Sequence, residues 1–156
     1  MEAQFDIRAY FEYLVTNQID ELNGFVYETE AGQTQARESD NHSIYPCLAL
    51  TLADGKIEEN QGDTNLDVRT ESIYLSAKKS GDISEAEQWT LLRQLRNQVI
   101  AHMKYWEGYP GVEGETLREI LNIADVRYYA QSAVSINNSF GYLIEFDCTE
   151  VIDLSL

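Results

Sequence analysis

Apolar side chains return at helical spacing twice along this chain, and at a spacing of two in the stretches between. Ile7, Tyr10, Phe11, Leu14 and Leu22 fall on one face of a 3.6-residue repeat, interrupted at Gln18. This predicts a first helix from about Asp6 to Leu22. Asn23-Gly24 follows, and Gly24 suits the left-handed conformation that ends helices. The second repeat is longer: Trp89, Leu92, Leu95, Val99, Met103 and Trp106 form one stripe, entered through Ser84-Glu85-Ala86-Glu87. That tetrad reads as a capping box, with the Ser84 hydroxyl accepting from the N–H three residues on. About 22 residues at ~1.5 Å each give a rod of about 33 Å, stopped by Gly108-Tyr109-Pro110-Gly111.

The remaining runs read as strands. Phe25–Glu28 is short. Tyr45–Leu52 places Leu48, Leu50 and Leu52 on one face and Cys47, Ala49 and Thr51 on the other, with no charge on either; such a strand belongs in the middle of a sheet, covered on both sides. Pro46 stands at its start, where a missing N–H is tolerated. Leu66–Ala77 alternates Val68, Thr70, Ser72, Tyr74 and Ser76 with Arg69, Glu71, Ile73, Leu75 and Ala77. Val126–Ile136 and Phe140–Val151 flank Asn137-Asn138, a turn signal, and Phe140, Tyr142, Ile144, Phe146 and Cys148 mark the inward face of the last strand. Two polar stretches break the pattern. Ala31–Ser43 has no periodicity and exceeds a routine connector, which predicts a loop that is mobile in the free chain and ordered by a neighbour. Asp54–Asp67 opens on Asp-Gly and is rich in acids, the composition of a solvated connection. A short helix is expected over Glu115–Leu121.

The order α-β-β-β-α-(α)-β-β lacks strict βαβ alternation. It predicts one α+β domain over residues 1–156, an antiparallel or mixed sheet of about five strands with both helices on one face. Length agrees, since 156 residues suffice for a core without metal or disulfide staples. Charge changes the picture more: 27 acids oppose 11 bases, a net charge of −16. That surface repels DNA phosphates and anionic lipids, so neither sequence-specific nucleic-acid binding nor a membrane partner is expected. Solubility and docking to a basic partner both remain open as its purpose. No apolar run reaches the ~20 residues of a membrane span, and Met1–Asp6 carries no secretory pattern. Cys47 and Cys148 read as free, buried thiols.

Catalytic chemistry has no foothold. There is no phosphate-binding glycine loop, no C-x-x-C and no H-E-x-x-H. His42 and His102 lack the spaced companions of a metal site, and Cys47 lies in a run that reads as buried and inert. No catalytic, cofactor or metal residues are expected. The candidate contact residues are Arg37, Asp40 and His42 in the polar loop, and Tyr105, Trp106 and Tyr109 at the end of the long helix. For that aromatic group two roles compete, closing the core or presenting a stiff interface hot spot.

Several local patterns together resemble a known family. An N-terminal helix leads to a strand and a long polar loop, then to Tyr45-Pro46-Cys47-Leu48-Ala49-Leu50. Tyr74-Leu75-Ser76-Ala77-Lys78-Lys79 precedes the helix opening at Ser84-Glu85-Ala86-Glu87, and Phe140-Gly141-Tyr142-Leu143-Ile144-Glu145-Phe146 closes the chain. From about Ile7 to Val151 this is similar to the tail-terminator and head–tail joining proteins of tailed bacteriophages and prophages. The resemblance implies a non-catalytic virion subunit, made in the host cytoplasm, that forms a ring with copies of itself and meets other tail or neck proteins. A reading of another class is an acidic intracellular inhibitor, of the immunity type, that holds a basic toxin.

Overall fold

In a computed structural model, the residues described are 5–28, 45–51, 53–60, 64–79, 81–104, 109–110, 120–132, 139–152 and 154. They form a mixed six-stranded sheet with two helices on one face, an α+β fold. Helix α1 (Ile7–Tyr13) starts at Asp6, whose carboxylate accepts from the Ala9 N–H at 3.0 Å. It passes into a single π turn, Leu14–Gln18, and ends there, shorter than the periodicity predicts. Ile19 is already extended, yet Ile19 and Leu22 remain buried. The apolar pattern to Leu22 therefore records burial after the helix has stopped. Gly24 does not cap it; it is the first residue of strand β1 (Gly24–Glu28).

β1 pairs in parallel with β2 (Cys47–Thr51), and all other pairs are antiparallel. Cys47 to Leu50 are all buried, as expected of an uncharged strand inside a sheet. β3 (Asp54–Asn60) corrects the expectation of a solvated loop: it forms a hairpin with the first half of β4 (Thr64–Lys78). β2 and β3 lie end to end along β4, with the register slipping by one residue between Leu50↔Ile73 and Asp54↔Thr70, the signature of a bulge. β5 (Leu121–Gln131) begins and ends earlier than the expected Val126–Ile136, and its register with β6 (Ser139–Ile152) shifts between Asn122 and Arg127. Leu121 is therefore a strand residue; Ile120 before it is helical, and the rest of the expected Glu115–Leu121 helix lies outside the described residues. The Asn137-Asn138 turn lies outside the described residues. The order across the sheet is β1-β2-β4-β6-β5, with β3 beside β4.

Helix α2 (Glu85–Lys104) is capped as predicted: Ser84 Oγ accepts from the Glu87 N–H at 3.2 Å. Leu92, Leu95, Val99 and Met103 are buried, and Trp89 packs on Phe140 and Tyr142 at ring distances of 5.1 and 5.3 Å. From the other helix, Phe11 meets Phe146 at 5.8 Å. Both helices thus cover the face carrying Ile73, Leu75, Phe140, Ile144 and Phe146, all fully buried. β4 and β6 approach so closely that a Cβ on Gly141 would lie 1.8 Å from the Leu75 carbonyl oxygen. No helix among the described residues is long and apolar enough to cross a membrane.

Candidate functional site

The buried apolar core ends abruptly along the two longest strands. It contains nothing from β3, nothing in β4 before Ile73 and nothing in β6 after Cys148. Strands β3, the first half of β4 and the last residues of β6 therefore extend the sheet as a three-stranded arm. At ~3.4 Å per residue, the eight residues Thr64–Glu71 make it about 25 Å long. Two of its apolar side chains stand in solvent: Val151 is 71% exposed and Ile57 53%. Leu66 and Val68 are half-buried, and Leu66 is paired across the ladder with Val151. Among the described residues the outer edge of β3 pairs with no further strand, and an unpaired edge beside exposed apolar side chains is a place where another chain can add.

A charged knot closes the junction between arm and core. Arg69 Nη1 donates to Asp67 Oδ2 at 2.5 Å, Nε to Glu71 Oε1 at 2.9 Å, and Nη2 to Glu150 Oε1 at 2.5 Å and Cys148 Sγ at 3.1 Å. Alternation explains the meeting. Asp67, Arg69 and Glu71 project to one face of β4, and the register places Cys148 opposite Arg69 and Glu150 opposite Asp67. Gly55, also opposite Arg69, leaves room for its stem; a Cβ there would stand 2.9 Å from Arg69 Cγ. Burial opposes the Arg69 charge, but hydrogen bonds to Glu150 and Asp67 and the nearby charges outweigh it and hold its pKa above the ordinary value. Burial raises the Glu71 pKa despite Arg69. It also pushes the Cys148 thiol up to about 12, which keeps the sulfur protonated and unreactive. Glu150 Oε2 accepts from the Phe5 N–H at 2.8 Å, so the knot also holds the segment entering α1. An open cleft of about 470 Å³ lies alongside, between Phe5–Arg8, Tyr27, Arg69 and Glu71; Arg8 sits over the Tyr27 ring at 5.1 Å.

The opposite face of the sheet carries Arg127 between Asp125, Glu145 and Asp147, at 2.8, 3.7 and 3.8 Å. Cys47 pairs with Ser76 and Cys148 with Arg69, positions of opposite parity on β4. The two thiols therefore project to opposite faces from non-adjacent strands, and no disulfide joins them. Of the expected contact residues, Arg37, Asp40, His42, Tyr105 and Trp106 lie outside the described residues. Tyr109 is half-buried, its ring 5.4 Å from Tyr13, 5.5 Å from Tyr10 and 6.4 Å from Phe5. That is the core-closing role, for this member of the aromatic group. His102 is half-buried on α2, and burial lowers its pKa. The arm and its knot escaped the pattern reading, although Arg69 and Glu71 were correctly placed on the face that holds Ile73 and Leu75.

No protein-family model matches this sequence, and a comparison with curated proteins found no match.

Proposed function

We propose that this chain is a structural subunit, without catalysis of its own, that assembles into a ring at the tail–neck junction of a tailed-phage particle. The sequence resemblance suggests the role, and the β-arm is the observation that carries it. The arm presents Val151 and Ile57 to solvent, one on each face of the sheet, on stretches of β6 and β3 that the core does not use, beside the outer edge of β3, which pairs only with β4 among the described residues. Such a surface favours a second protein chain over a small substrate.

The test is native mass spectrometry of the pure protein, then negative-stain imaging and sedimentation velocity across a salt series. The expected result is a discrete oligomer. Its association should strengthen from low to moderate salt, because neighbouring subunits of net charge −16 repel and ions screen that repulsion beyond about 8 Å. The inhibitor reading draws on the acids Asp125, Glu145 and Asp147 gathered on one sheet face. It predicts a monomer at every salt level that binds a basic protein with an affinity that falls as salt rises. That pair of results would replace the ring.

A further inference from the structure

The two interruptions of the sheet fall at one level. On one side of β4, the pairing with β2 ends at Leu50↔Ile73, and the pairing with β3 starts, one residue out of step, at Asp54↔Thr70. Glu71 and Ser72 lie between those two ladders, and there the Thr51 hydroxyl donates to the Ser72 carbonyl at 2.9 Å. On the far side of β6, the pairing with β5 runs to Arg127↔Glu145 and resumes at Asn122↔Asp147, so residues 123–126 of β5 stand against Phe146 alone. Phe146 is the partner of Glu71. Among the described residues, only the central β4–β6 ladder passes this level unbroken, from Asn65↔Ile152 to Lys78↔Ser139. Interrupted ladders are where strands bend.

Side chains bridge the line on both faces. On the helix side, Arg69 joins Glu71 at the line to Asp67 and Glu150 beyond it, and the second oxygen of Glu150 accepts from the Phe5 N–H at 2.8 Å. Phe5 in turn packs on Tyr10 and Tyr109, at ring distances of 5.8 and 6.4 Å. On the other side, Arg127 reaches Glu145 before the line and Asp147 after it, at 3.7 and 3.8 Å. We propose that the sheet is hinged along the Glu71–Phe146 pair, and that these two arginine clasps, one on each face, hold the arm at its angle to the core. The inference is independent of the ring reading, because it concerns motion within one chain. A hinge absorbs rotation in a few residues while the bodies on either side keep their shape. The Glu150 clasp is the stronger, since that side chain is 6% exposed, whereas Arg127 and Asp147 are 35% and 33% exposed and solvent weakens such a pair.

The experiment measures distances between spin labels in the full chain by pulsed electron paramagnetic resonance, diluted with unlabelled protein so that only pairs within one chain are read. Labels at Glu59→Cys, near the arm tip, and Gln94→Cys, on α2, span the line; labels at Gln94→Cys and Ala130→Cys both stay on the core side. All three positions are exposed, and Cys47 and Cys148 are buried. Glu59 pairs with Asn65, which places it about 20 Å from the line at ~3.4 Å per residue. A swing of about 15° then moves it by about 5 Å. Glu150→Gln leaves one oxygen for two donors, so one of the two bonds is lost. It should spread the spanning distance by about 5 Å while the core distance keeps its width, and Asp147→Asn should spread it less. A spanning distance as narrow in Glu150→Gln as in the parent overturns the hinge. Equal broadening of both distances also overturns it, because the sheet would then loosen as one body.

Discussion

Replacing Arg69 with Met would put the charged knot to its sharpest test. The substitution keeps most of the stem volume and removes the cation that Asp67, Glu71 and Glu150 share. The Glu71 and Glu150 side chains are only 4% and 6% exposed, so neither carboxylate can turn to water cheaply. Breaking a buried ion pair from one side costs 3–5 kcal/mol. Arg69 and Asp67 are 17% and 18% exposed, which admits some solvent and places the expected cost at about 3 kcal/mol. That is a large part of the 5–15 kcal/mol that holds ordinary domains together. The loss should depend on pH, with a sign that follows from Glu71. Burial already raises its pKa in the folded state, and Arg69 opposes that rise. Without Arg69 the folded pKa climbs further above its unfolded value. A group of that kind binds more protons when folded, so stability falls as pH rises through the gap between the two values. The deficit of the variant should therefore be largest near about pH 8 and shrink toward about pH 5. Urea titrations followed by tryptophan fluorescence at both pH values measure it. The triple variant Arg69→Met, Glu71→Gln, Glu150→Gln should recover much of the loss, since removing both sides of a buried pair is far less costly than removing one. A loss below about 1 kcal/mol, or one of equal size at both pH values, would refute this account of the knot.

Gly141→Ala should destabilise by about 3 kcal/mol or more, because the new Cβ would collide with the Leu75 backbone and force β4 and β6 apart; thermal melts will show it, and a near-native melting point would contradict the close approach. Trp89→Ala should cost about 3 kcal/mol in denaturant titration through lost packing on Phe140 and Tyr142. A thiol reagent at mildly alkaline pH should label neither Cys47 nor Cys148 in the folded protein and both after denaturation, since both are buried and the Cys148 pKa lies near 12. Rapid labelling of Cys148 in the native state would mean that the knot opens.

What was legible in the sequence was whatever one face of one element dictates. The α2 stripe, its Ser84 cap, the alternation of β4 and the inward row of β6 all follow from burial on a single side. β3 failed that test for a physical reason. Asp54-Gly55-Lys56-Ile57-Glu58-Glu59-Asn60 contains residues that disfavour strands, and it sits at an edge where no buried row is needed. It is a strand because β4 offers it a ladder. The bracketing Gly62 and the lone Ile57 between charged neighbours were the only local hints. α1 ran too long for the opposite reason: Ile19 and Leu22 are buried, and burial imitates helical spacing. Gln88 and Arg96, polar as they are, lie buried on α2. Gln88 Nε2 donates to the Lys78 carbonyl at 2.8 Å, and Arg96 lies over two tyrosine rings. Neither partner adjoins it in sequence, so no periodicity could announce them. The knot is of the same kind, five side chains from two strands joined by a register that only pairing reveals.

The division of β4 and β6 into an inner and an outer half has a consequence for how amide protons exchange with solvent. Around Ile73–Ala77, strand hydrogen bonds lie beneath both helices, and their protons should leave only when the whole domain unfolds. Around Leu66–Arg69, the same strand can release its partners by local opening at a lower free energy. Protection should therefore step down within a single strand, near Glu71, without any turn or break in the chain to mark the place. In the proposed ring, a second copy covering the arm would raise the outer side and erase the step, a change that exchange measured residue by residue along β4 would record.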